Sequence, residues 1–130
     1  MNVKRATPVM VVDAIEPCLE LWVERLAFEK TAEVPHGEAL GFVILEKDGV
    51  QVMLQTQASL SEDLPRLAEA DAGTATALFV EVDDIDAVER ALDGAEIVQP
   101  RRKTFYGATE VAVREPGGHF VTFAEFGKGD

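Results

Sequence analysis

Histidine and cysteine are nearly missing from this sequence, which has two of the first, His36 and His119, and one of the second, Cys18. A lone cysteine cannot close a disulfide within the chain, so the composition reads as that of a reducing compartment, the cytoplasm. Cys18 itself falls in a helical stretch and reads as core packing. The histidines stand far apart, in the turns Pro35-His36-Gly37 and Gly117-Gly118-His119. There is no HExxH, CxxC, GxGxxG, P-loop or GxSxG pattern, so metallohydrolase, nucleotide-binding and serine-hydrolase chemistry lack their usual motifs. Long apolar runs are absent as well, and none approaches the roughly 20 residues that a membrane span needs. The start, MNVKRATPVMVVDAIEP, sets basic residues before a short apolar stretch that Asp13 and Glu16 interrupt. It is expected to be a first strand and not a signal peptide. Basic residues are scarce too, 12 against 24 acidic ones, for a net charge of -12. Such a field repels nucleic-acid phosphates and anionic membranes, which excludes both as partners. The one basic cluster, Arg101-Arg102-Lys103, reads either as a local anion contact or as a solvated turn.

What the chain does have is the same short architecture written twice. Superposing Asp13 on Asp84 needs an offset of 71 residues, and superposing Gly49 on Gly118 needs 69. Two nearly equal offsets argue for a duplicated unit, because unrelated strands could match anywhere. A unit of about 65 residues makes a marginal core on its own, so the expectation is a single domain over 1–130. Module one is expected at about 5–57, a connecting helix at about 60–72 and module two at about 75–126.

Each module reads β-α-β-β-β. In the first, 6–12 has strand composition, and Asp13 with Glu16 resembles a capping box with Pro17 in the first helical turn. Leu19, Trp22, Val23 and Leu26 mark one stripe of a helix of about ten residues. Strands follow at 28–34 and 39–46, then the hairpin turn Asp48-Gly49 and the alternating VQVMLQ. Ser59 with Glu62 predicts the cap of the connecting helix, with Leu64, Leu67 and Ala68 as its stripe. In the second module the pattern predicts a strand at 76–82, an Asp83/Asp84 cap and a helix at 85–93. A short strand at 95–99, a loop containing RRKTFYG and two strands joined by EPGG complete it. The fold class is α+β, two tandem modules forming a concave mixed sheet.

Candidate site residues come from strand parity. Glu81 lies inside an apolar strand on the side of Phe79 and Ala77, where it lines a cavity or faces solvent. Gln51, Met53 and Gln55 share a face of one strand, as do Phe120, Thr122 and Ala124 of its counterpart. These walls suit an organic ligand better than a metal. Phe105-Tyr106-Gly107, in the longest loop of the second module, either folds over a pocket or starts a strand. Trp22 fills the helix stripe or reaches the cavity or a subunit interface with one edge, and Met10 and Met53 are cavity lining or core.

The stretches VVDAIEPCLELWVERLAFE, GFVILEKDGVQVMLQ, LFVEVDDIDAVERAL and TFYGATEVAVREPGGHFVTFAE resemble the vicinal oxygen chelate superfamily. That superfamily includes glyoxalase I, the bleomycin resistance proteins and the extradiol dioxygenases. The resemblance covers roughly 6–126, and the closing stretch is its most specific part. It implies paired modules around a cavity, often in a homodimer. Metal-dependent members carry ligands at positions that fall here on Ala6 or Thr7, Met53, Ala77 and Thr122, none a good ligand for a divalent ion. His119 precedes Thr122 by three residues with the opposite strand parity. The chain is thus most similar to metal-free, bleomycin-resistance-like members. This implies no cofactor and a small cationic or aromatic ligand bound against Met10, Met53, Gln55, Phe79 and Thr122. Glu81 would supply charge, and Phe105 and Tyr106 would cover one side. The alternative is a glyoxalase-like isomerase, lyase or dioxygenase, in which Glu81 or Tyr106 acts as acid or base.

Overall fold

The period-two alternation of apolar residues resolves into eight strands in two separate four-stranded sheets, in a computed structural model that describes residues 1–2, 4–71 and 75–127. The chain divides into two compact units, Met1–Thr74 and Ala75–Asp130.

In the first unit, β1 (Val9–Val12), β2 (Glu29–His36), β3 (Ala39–Lys47) and β4 (Val50–Thr56) take the order β1-β4-β3-β2. β1 runs parallel to β4 and the other pairs are antiparallel. One face of this sheet is buried through Met10, Val12, Val43, Leu45, Val52 and Leu54. The core is completed from the first helix and its N-cap by Ile15, Cys18, Leu21 and Trp22. Asp48 and Gly49 both have positive φ, 52° and 81°, the conformation that a tight hairpin turn matching the strand twist requires.

That helix departs from the expected one. It starts as α1 (Glu16–Leu19) and continues as a π-helical segment, Glu20–Arg25, in which the Leu26 N–H reaches back five residues to the Leu21 carbonyl at 2.9 Å. The wider turn slips the 3.6-residue reading by about one position. Leu21 joins Trp22 in the core, while Leu19, Val23 and Leu26 of the expected stripe are only half-buried. Trp22 is fully buried with its ring edge-on to Phe28, so it belongs to the core. Nor is there a capping box: Ile15 occupies the N-cap without a side-chain bond. The Glu16 carboxylate instead accepts the Leu40 N–H at 2.8 Å, tying the helix start to β3.

The expected connecting helix is two short ones, α2 (Gln57–Asp63) and α3 (Pro65–Asp71). Pro65 forbids helical geometry to the residue before it, and Leu64 accordingly sits at φ -137° and ψ 71°. The cap is Thr56, whose hydroxyl accepts the Ser59 N–H at 3.1 Å, so Ser59 and Glu62 do not form it. Leu64 is exposed and Ala68 buried; the Leu67 side chain and the expected helix end at residue 72 lie outside the described residues.

The second unit repeats the plan with β5 (Ala77–Glu81), α4 (Ile85–Ala91), β6 (Glu96–Lys103), β7 (Ala108–Arg114) and β8 (Phe120–Phe126) in the order β5-β8-β7-β6. The registers repeat as well, with Val9 beside Met53 in the first sheet and Phe79 beside Thr122 in the second, offsets of 70 and 69. Val111, Val113, Val121 and Phe123 form the buried face, completed by Ile85 and Leu92. Asp84 is the cap that the sequence predicts, its Oδ1 accepting the Ala87 N–H at 3.1 Å. Buried Glu125 accepts the Ile85 N–H at 2.8 Å and fixes the helix start on β8. β6 is longer than expected because Arg101 joins it, with its Nη1 2.6 Å from Asp86 and 2.5 Å from Glu89 of α4. The basic cluster is therefore part of a strand and not a solvated turn, and the supposed long loop shrinks to the four residues Thr104, Phe105, Tyr106 and Gly107.

Candidate functional site

Each sheet has one face turned to its helix and one free face. On the free face of the first unit, Met53 and Gln55 lie beside Val9 and Val11 of β1 and across from Ile44 and Phe42 of β3. Gln55 Nε2 donates to Ser59 Oγ at 3.1 Å. A polar chain runs along the same face: the Thr7 hydroxyl donates to Gln51 Oε1 at 3.0 Å, and Gln51 Nε2 donates to Glu46 Oε2 at 3.0 Å. Met10 does not join this wall. It pairs in register with Leu54 on the opposite, helix-covered face and is fully buried, because one residue along a strand reverses the side.

In the second unit the free face carries Phe79 and Glu81 of β5 and Thr122, Ala124 and Phe126 of β8. Ala108, Glu110, Ala112 and Arg114 of β7 continue it. Its floor is made of small side chains, since Ala108, Ala112 and Ala124 are all buried. Aromatic rings stand along one side. Phe79 and Phe126 have centroids 6.3 Å apart, Phe126 and Tyr106 6.1 Å, and Tyr106 meets Phe105 edge-on at 5.1 Å. Phe79, Phe126 and Tyr106 are each about half exposed, and Phe105 is fully exposed at the tip of the β6–β7 hairpin. At the far end Arg114 lies 5.0 Å over the Phe120 ring.

The acid that this face buries is Glu110, not Glu81. Glu81 is exposed, at the sheet edge beside Ala124. Glu110 is 2% exposed in the inner strand β7. Its Oε1 accepts from Arg102 Nη2 at 3.3 Å, and its Oε2 accepts a hydrogen bond from the Tyr106 hydroxyl. That bond, with loss of water around the phenol and the nearby negative charge, holds the Tyr106 pKa above its ordinary value, while Thr104 and Arg102 pull the other way. Sequence reasoning misses Phe126 and Glu110. The alternation of Ala108, Glu110 and Ala112 opposite Ala124 and Thr122 carries the signal, through the parity rule that picks out Glu81.

His119 is a packing residue. It is buried, its Nδ1 accepts the Thr76 N–H at 2.8 Å, and its own N–H donates to Glu115 Oε1 at 3.1 Å. His36 ends β2 with Nε2 3.7 Å from Glu62. Among the described residues no group of three His, Cys, Asp or Glu side chains converges where a metal ion could be held. Of the positions at which the resemblance puts metal ligands, Met53 and Thr122 offer a thioether and a hydroxyl, and the register sets Val9 and Phe79, not Thr7 and Ala77, beside them. These residues do not fit a divalent ion, which takes imidazole, carboxylate or thiolate. A cleft of about 300 Å³ lies between α4 and β6, lined by Leu92, Ile97, Pro100, Arg101 and Val111 among others. It contains none of the candidate residues.

No family model matches the sequence, and no curated protein matches it. Solved structures do. A lactoylglutathione lyase from Agrobacterium tumefaciens superposes with a TM-score of 0.76 at 14% identity, covering 96% of this chain and 95% of that one. A glyoxalase/bleomycin resistance protein/dioxygenase from Nocardioides gives 0.72 at 20% identity, covering 99% and 89%. The bleomycin-binding protein of bleomycin-producing Streptomyces verticillus, solved with copper(II)-bleomycin, gives 0.65 at 23% identity, covering 98% and 99%. With two β-α-β-β-β modules in matching strand order and register, the chain has the glyoxalase/bleomycin-resistance fold.

Proposed function

We propose that this protein is a metal-independent member of the glyoxalase/bleomycin resistance superfamily that binds a small, flat organic molecule on the free face of its second module. The observation that carries this reading is the row of half-exposed rings, Phe79, Phe126 and Tyr106, beside an alanine floor with a carboxylate buried in it. Exposed aromatics in contact with one another are costly in water and favourable against a planar ligand. Thr122 and Glu81 lie on the same face, and Phe105 stands at its rim. Met53 and Gln55 form the matching wall of the first module. The similar structures, a lyase in one case and a bleomycin binder in another, agree with small-molecule recognition and leave its kind open.

The test is a titration of the full chain with benzamide, a neutral planar probe, followed by backbone NMR shifts and repeated on Phe79→Ala and Phe126→Ala. Shifts centred on β5 and β8 are expected, with each substitution weakening binding roughly three- to tenfold, the worth of a ring contact. Shifts confined to other strands would overturn the assignment of the face. Native mass spectrometry of untagged protein purified without chelator tests the other half, and stoichiometric iron, zinc, manganese or nickel would overturn metal independence.

A further inference from the structure

The roles of Tyr106 and Glu110 rest on the proposal that the free face of the second module is a ligand site. An ionised carboxylate only accepts hydrogen bonds. Glu110 uses Oε1 for Arg102 and Oε2 for the Tyr106 hydroxyl, and as a buried group it has little access to water that could replace either donor. The phenolic proton is therefore committed inward. A phenol in water turns its O–H toward whichever partner arrives, but this one, on a half-exposed ring, has its proton committed to Glu110 and can only accept from a ligand. The neighbouring Thr104 hydroxyl donates to the Ala108 carbonyl at 3.3 Å. Its contact with the phenol also lowers the Tyr106 pKa, so Thr104 already takes part of the phenol's acceptor capacity and a ligand N–H must share or displace that contact.

We infer that Glu110 fixes the Tyr106 hydroxyl as a hydrogen-bond acceptor toward the free face, so that the site selects a planar ligand whose polar head donates, an amidinium, ammonium or ring N–H, over one whose head accepts. Tyr106 is the contact and Glu110 the positioning residue. Two further features act in the same direction. The faces of Phe79 and Phe126 carry negative quadrupole density that attracts a cationic head. A phenol already donating to a carboxylate is also a stronger acceptor, because hydrogen bonds in a chain polarise one another. A carboxylate-bearing ligand of the same shape would set its lone pairs against those of the phenol.

Three probes share one ring and differ in the head: benzamidine donates and is cationic, benzamide does both, and benzoate accepts and is anionic. Each is titrated against wild type, Tyr106→Phe and Glu110→Gln by NMR. Tyr106→Phe changes no charge, so it isolates the hydroxyl; we expect benzamidine to weaken roughly tenfold, the worth of a charge-assisted bond, with benzoate unchanged or slightly tighter. In Glu110→Gln the benzamidine-to-benzoate affinity ratio should fall at least as far. If Tyr106→Phe leaves benzamidine unchanged, or weakens benzoate equally, the acceptor assignment is overturned. Benzamide separates the two levels: if it binds wild type while the ratio does not respond, the acceptor assignment fails alone. If none of the three probes binds, the ligand site fails and this inference with it. Circular dichroism checks that Glu110→Gln folds; should it not, Tyr106→Phe, altered at a half-exposed ring, decides the matter.

Discussion

Tyr106 is the only tyrosine in the chain, so its ionisation can be followed directly by tyrosinate absorbance. The hydrogen bond to Glu110 raises its pKa above the ordinary 10.0, which means that the folded state holds the proton more tightly than the unfolded chain does. The resulting stabilisation is complete below about pH 10 and is lost as the pH climbs through the folded value. Native protein should therefore ionise at higher pH than protein in denaturant, and Glu110→Gln should bring the two curves together. Coincident curves in the wild type would mean that the bond is not made in solution. Glu16 has the opposite sign. Its pKa is lowered from the ordinary 4.5, chiefly by the Leu40 N–H, so its contribution is present above that value and disappears as the pH falls through the lower folded one. Thermal melts of wild type and Glu16→Gln should differ slightly near neutrality and converge in acid; the carboxylate is exposed, which keeps the difference below about 1 kcal/mol. Both residues show the limit of residue-level reading. Glu16 stands where a capping pattern predicts a cap, but its partner comes from 24 residues away, which no local pattern encodes. Glu110 and Glu81 obey the same parity, and only their position in the sheet, inner strand against edge, decides which one is buried.

Elements whose limits are set by local chemistry are legible in the sequence, while those set by tertiary contacts are not. Asp84, Asp48-Gly49 and the alternations of β3, β4, β7 and β8 act within a few residues, and the structure follows them. The sequence makes β6 look too short because Pro100 and three basic residues resemble a loop. Arg101 finds two carboxylates on α4 and keeps the strand going past two register irregularities. The π-helical turn likewise leaves no trace in a pattern that assumes 3.6 residues per turn. Two substitutions test this level. Asp84→Ala should cost about 1 kcal/mol through the lost cap on α4, measured by urea denaturation. Gly41 is constrained by space: a Cβ there would lie 2.6 Å from the His36 Cβ and 3.2 Å from the Ser59 Cβ. Gly41→Ala should destabilise by roughly 1–3 kcal/mol as the β2–β3 hairpin shifts to make room. A neutral result would show that the hairpin is looser there than its register implies.

Duplication explains more of the molecule than any single motif does. The repeat offsets of the sequence, 71 and 69, reappear as strand registers offset by 70 and 69, so the repeat belongs to the hydrogen-bonded framework and not merely to composition. The side chains on that framework have diverged: the positions of Val9 and Met53 in the first sheet hold Phe79 and Thr122 in the second. The fold can thus be read from the sequence, whereas the proposed site, which depends on which copy acquired rings and a buried acid, can be read only in part. Size sets one further expectation. Each module has about 65 residues, too few to bury a generous core, so we propose that they fold as a single cooperative unit. The chain carries its own probes for this, since its only tryptophan, Trp22, belongs to the first module and its only tyrosine, Tyr106, to the second. Urea unfolding followed by Trp22 fluorescence and by Tyr106 absorbance should give coincident transitions with one midpoint. Two separated midpoints would make the modules independent domains, and the destabilisation caused by Asp84→Ala would then appear in the tyrosine signal alone.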